Sequence, residues 1–60
     1  MGQFKHVYRI GYSYDDEAGR HFETATICAD SVEDAHMELH RLRVMAQQPK
    51  ALIFDTEKVA

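Results

Sequence analysis

Over residues 3–14 the chain alternates. Phe4, His6, Tyr8, Ile10, Tyr12 and Tyr14 fall on one side of an extended backbone, and Lys5, Val7, Arg9, Gly11 and Ser13 on the other. This period of two predicts a long strand with an aromatic face. Asp15-Asp16-Glu17-Ala18-Gly19 then supplies turn formers, and Gly19 can take the positive φ that closes a hairpin loop of about four to six residues. Residues 20–29, rich in Thr, Phe and Ile, return as a second strand. Pairing Tyr14 with His21 sets Ile10 against Ala25 and Tyr8 against Ile27, an apolar patch for a helix. The reverse face then carries Val7, Arg9, Gly11, Phe22, Thr24, Thr26 and Cys28, and a one-residue slip would exchange the faces of the second strand.

The next stretch reads as a helix. Asp30, with Glu33 three places on, offers a reciprocal capping pair, so the helix starts at about Asp30 or Ser31. Asp34 and Glu38 near its start, and Arg41 and Arg43 near its end, oppose the helix dipole. At 100° per residue, Val32, Ala35, Leu39, Leu42 and Ala46 form one narrow apolar stripe, the predicted core face. Pro49 ends the helix near Ala46 or Gln47.

Ala51-Leu52-Ile53-Phe54, running into Asp55-Thr56-Glu57-Lys58, reads as a third strand with a frayed end. A right-handed return places it beside the first strand, away from the second. The predicted fold is therefore α+β: one domain spanning residues 1–60, with a three-stranded antiparallel sheet in order 2-1-3 and one helix on one face. One helix covers only one face of such a sheet. The other face, or the edge along residues 51–54, stays open to a partner.

Sixty residues bury only about 60% of the surface their unfolded chain exposes. Folds this small draw extra stability from disulfides, metals or association. A single cysteine, Cys28, excludes an intramolecular disulfide and points to a reducing, cytoplasmic setting. The N-terminal Met1-Gly2-Gln3-Phe4-Lys5-His6 has no apolar signal core and no myristoylation pattern, and no run is long enough to span a membrane. Ten acidic against seven basic side chains give a net charge of −3, which opposes direct nucleic-acid binding.

His36 and His40 stand one helical turn apart with Glu33 on the same flank, but the run His-Met-Glu-Leu-His lacks the Glu that follows the first His in a zinc-protease helix, so no metal or other cofactor is expected. Cys28 has no visible base and orienting group, so the protein is expected not to be an enzyme. Gly11 within a strand marks a bulge or a close backbone approach. Met37 and Val44, with His40 between them, lie opposite the apolar stripe as a soft contact surface.

The Tyr-rich hairpin, the junction Ile27-Cys28-Ala29-Asp30-Ser31-Val32-Glu33-Asp34-Ala35 and the closing strand together resemble small proteins of bacteriophages and other mobile elements, among them anti-CRISPR inhibitors. The same junction occurs in other small α+β domains, antitoxins included. The resemblance implies a protein-binding inhibitor that engages a host defence complex, such as a CRISPR–Cas assembly, and blocks its nucleic-acid or effector binding. The expected contacts are Tyr12, Tyr14, Asp15, Asp16 and Glu17 at the hairpin tip, supported by Arg9, Glu33 and Met37, because Tyr and Arg anchor interfaces and an acidic tip competes for a basic surface. The alternative is a self-associating regulatory module, an antitoxin-like homodimer.

Overall fold

A computed structural model describes residues 6–60. It contains β1 (His6–Asp16), β2 (Gly19–Ala29), α1 (Val32–Met45) and β3 (Leu52–Lys58). The strands form one antiparallel sheet in the order β2-β1-β3, and α1 packs mainly over β2 and β1. The α+β architecture, its strand order and the hairpin register, with Tyr14 opposite His21 and Tyr8 opposite Ile27, agree with the sequence. The predicted start of the first strand at Gln3-Phe4-Lys5 lies outside the described residues.

The hairpin is tighter than its turn formers suggest. Asp16 pairs with Gly19, so only Glu17 and Ala18 lie in the loop. The Asp16 carboxylate accepts the Ala18 amide at 2.8 Å, and Gly19 supplies the positive φ of 118°. The third strand runs longer than its apolar core. It continues through Lys58, and beyond it the Val59 amide donates to the Val7 carbonyl while the Val7 amide donates to Ala60, both at 2.8 Å. Ladder bonds hold this end where composition alone suggested fraying.

The core lies between the sheet and α1. Tyr8, Ile10 and Tyr12 of β1 meet Ile27 and Ala29 of β2, Ala35 and Leu39 of α1, and Ala51. Ile10 is the one large side chain among the described residues that is fully enclosed. The helix stripe departs from expectation: Ala35, Leu39 and Arg43 are buried, while Val32, Leu42 and Ala46 are exposed. The three buried positions are four residues apart, so they stack along one line of the helix. A stripe turned toward Leu42 would have left the tyrosine rings of β1 uncovered.

The cap also differs from expectation. Ser31, rather than an Asp30–Glu33 pair, caps α1, its hydroxyl accepting the Asp34 amide at 3.1 Å. At the other end the Gln48 amide donates to Arg43 and the Gln47 amide to Val44, the paired bonds that close a helix through a left-handed residue. Gln47 takes that conformation, with φ of 58°.

The edge strand β3 carries one irregularity. Gly11 pairs with Asp55 and Tyr12 with Ile53, so Phe54 is an extra residue. The bulge turns both Ile53 and Thr56 toward the helix side, where Ile53 joins the core and the Thr56 hydroxyl meets His36 Nε2 at 2.7 Å. Phe54 is left on the open face, and its ring lies over Gly11 so closely that a Cβ there would stand 3.0 Å from it. This is the close approach expected at Gly11.

Candidate functional site

At the hairpin tip, Tyr14 stacks on His21 with ring centres 5.0 Å apart, and its hydroxyl donates to Glu23 at 3.1 Å. Burial and the neighbouring Glu23 carboxylate push the Tyr14 phenol above its ordinary pKa. Beside it, Arg20 Nε donates to Asp15 at 3.0 Å and His21 Nε2 lies 2.8 Å from Asp16. The hydrogen bond from Arg20 lowers the Asp15 pKa; those from His21 and the Ala18 amide lower that of Asp16. The tip therefore holds the ion pair of Arg20 with Asp15 and a hydrogen bond between His21 and Asp16, with Glu17 exposed at its apex. Much of its acidity is answered locally, which weakens it as a lure for a basic surface.

Tyr12 does not belong to this tip surface. It is buried beneath α1, where Arg43 enters the core. The Arg43 guanidinium lies 4.9 Å from the Tyr12 ring centre and 4.6 Å from that of Tyr14. Its Nε donates to the Pro49 carbonyl at 2.9 Å and its Nη1 to the Tyr12 hydroxyl at 3.3 Å, while Nη2 is buried without a partner. The Tyr12 hydroxyl in turn donates to Glu23 at 3.3 Å, so this carboxylate balances the buried cation through two phenols. Tyr12 acts in positioning Arg43; its side chain is closed to a partner.

The other expected contact residues lie on separate surfaces. Arg9 stands on the open sheet face, 3.7 Å from Glu57. Glu33 and Met37 lie on the outer face of α1, where Met37 is 67% exposed and Val44 73%. Met45, also exposed, receives a hydrogen bond on its sulfur from Arg41, which pairs with Glu38. Below Val44 a depression of about 300 Å³ is lined by His40, Arg43, Val44, Gln48 and Lys50. His36 is engaged with Thr56, and no group of three or more His, Cys, Asp or Glu side chains converges on a metal-sized position among the described residues. No described helix is long and apolar enough to cross a membrane.

The open sheet face, which the sequence left open to a partner, gathers two aromatics that were not paired in advance. Phe22 from β2 and Phe54 from β3 meet edge to face with ring centres 6.0 Å apart, and both are exposed. They lean in from opposite sides over Gly11 and Ser13 of β1, and Ser13 is buried. The signal for this cluster was two small residues, Gly11 and Ser13, on the central strand's polar-looking side. Small positions there leave room for neighbouring aromatics to lie flat.

No protein-family model, curated protein or solved structure matches this chain.

Proposed function

We propose that this protein acts by binding another protein, as a non-enzymatic inhibitor of the phage type, and that the outer face of α1 makes the contact. The observation that carries this reading is the strip of Met37, Val44 and Met45, three large apolar side chains left in solvent on a surface that the fold itself does not use. Unbranched methionines adapt to a partner's relief, and Glu33, Arg41 and His40 around them supply a polar rim. The class of partner is a bacterial CRISPR effector complex, following the resemblance in layout. The acidic tip serves as a secondary contact through Tyr14, Asp15, Asp16 and Glu17.

The test is capture of purified CRISPR effector complexes on the immobilised protein. The reading expects one complex type to be retained at near one-to-one yield, and to be lost on M37E/V44E while the circular dichroism spectrum is unchanged. Retention of none, or equal retention by the double variant, would overturn it.

A further inference from the structure

The open face of the sheet has the layout of an interface in miniature. Its centre is apolar, formed by Phe22, Phe54 and Leu52, which remain 67, 61 and 54% exposed. Along β1 this centre is flanked at one end by the ion pair of Arg9 and Glu57 and at the other by that of Asp15 and Arg20. An apolar middle with a charged rim is how protein interfaces are built.

The rim also identifies the occupant. Each end carries one positive and one negative side chain, and Asp55 beside Phe54 adds one further carboxylate, so the face has little net sign to attract a strongly acidic or basic surface. It is complementary to itself. A second copy turned end for end brings Arg9 of each chain to Asp15 of the other, the reciprocal contact that a two-fold axis requires. The footprint fits a transient pairing. Two strands of 11 residues and one of seven, at ~3.3 Å per residue and ~4.8 Å between strands, cover about 460 Å² in plan. Two copies together then remove on the order of 900 Å², at the low end where weak, transient interfaces lie. The need is present too, since a slab only 13 Å thick in its shortest direction has just one layer of core.

We propose that two copies of this chain stack their open sheet faces end for end, forming a two-fold dimer centred on Phe22 and Phe54. The contact is of modest size and belongs with weak, transient interfaces. It uses the face opposite α1 and stands independently of the helix-face reading above.

Sedimentation equilibrium across concentrations from about 1 µM to about 1 mM tests it. The wild-type mass is expected to rise from 6.9 kDa toward twice that value. T24K, an exposed site on the same face, and F54K should each stay monomeric, whereas M37E/V44E should associate as the wild type does. Two further variants test whether the rim charges of the two copies face one another. R9E/R20E leaves an all-acidic rim and D15K/E57K an all-basic one, so each should be monomeric alone and the two should form a one-to-one dimer when mixed. A wild-type mass of 6.9 kDa at every concentration would overturn the proposal. So would an association that survives both T24K and F54K, or a mixture of the two charge variants that stays monomeric.

Discussion

Replacing Arg43 separates what its charge contributes from what its stem contributes. The side chain fills the space between α1 and the two tyrosine rings, makes two hydrogen bonds and leaves Nη2 desolvated. Cation–π contact is worth up to ~2 kcal/mol when desolvated, and a hydrogen bond from a charged donor ~1.5–3 kcal/mol. The orphaned Nη2 works against these gains, because an unpaired buried donor costs about 1–3 kcal/mol. Truncation in R43A removes the gains and the stem packing together and leaves a cavity, so it should cost about 3 kcal/mol. That is comparable to the entire ~3–5 kcal/mol a core of this size supplies, and R43A should be largely unfolded. R43M keeps the volume, drops the charge and removes the orphan, and the carboxylate it leaves behind, Glu23, is exposed and still receives both tyrosine hydroxyls, so no buried charge loses its partner. Its cost should be within about 1 kcal/mol, and R43K should fall between the two. Urea unfolding followed by circular dichroism gives the order directly, with unchanged slopes showing that the unfolded state is the same. Tyr14 supplies a second readout. The Arg43 cation lowers its pKa, so tyrosinate absorbance in R43M should appear at higher pH than in the wild type. An R43M as damaged as R43A would refute the reasoning and assign the stability to the guanidinium itself.

Q47G should raise stability by about 0.5–1 kcal/mol, because a left-handed residue costs a side chain what glycine does not lose; a thermal midpoint about 4–8 °C higher per kcal/mol would register it. G11A should cost no more than about 0.5 kcal/mol, because the Phe54 ring that the methyl meets is the exposed end of a side chain and can give by a few tenths of an ångström, and upfield-shifted glycine protons in the wild-type NMR spectrum would establish that the ring sits there. On the acid side, Asp15 and Asp16 ionise below their ordinary value of 3.8 in the folded protein. Their stabilisation is therefore present above the unfolded pKa and lost as pH falls through the folded one, so D15N and D16N should each flatten the loss of stability below about pH 4 in urea midpoints taken from neutral pH to pH 2.5.

The hairpin register, strand order and helix span were legible because each follows from a repeat that local chemistry enforces. Period two runs unbroken through β1, and Pro49 and the residues around Ser31 bound α1. The helix's buried side was not legible. Hydrophobicity ranks Leu42 above Arg43, yet Arg43 continues the line of Ala35 and Leu39 and finds two tyrosine faces at its end. An arginine four residues after a buried leucine, opposite paired tyrosines, is the pattern that reading by polarity passes over. The same arithmetic hid the open-face cluster. The bulge at Phe54 breaks the alternation of β3, so a period-two reading cannot place Ile53 and Thr56 on one side. Of the expected contact residues, Tyr14, Asp15, Asp16 and Glu17 share the tip as predicted, whereas Tyr12 is drawn inward by the same arginine.

The central position of β1 also sets an order of events in time. Its pairing with β2 closes outward from a two-residue loop, each rung adjacent to the one before, and hairpins of this kind zip in microseconds. Its pairing with β3 joins Tyr8 to Lys58 and Ser13 to Leu52, contacts that require the whole helical segment to be spanned first. The last strand therefore arrives onto a preformed hairpin. Substitutions in β3 should mostly change how fast the chain unfolds, and substitutions along the hairpin how fast it folds.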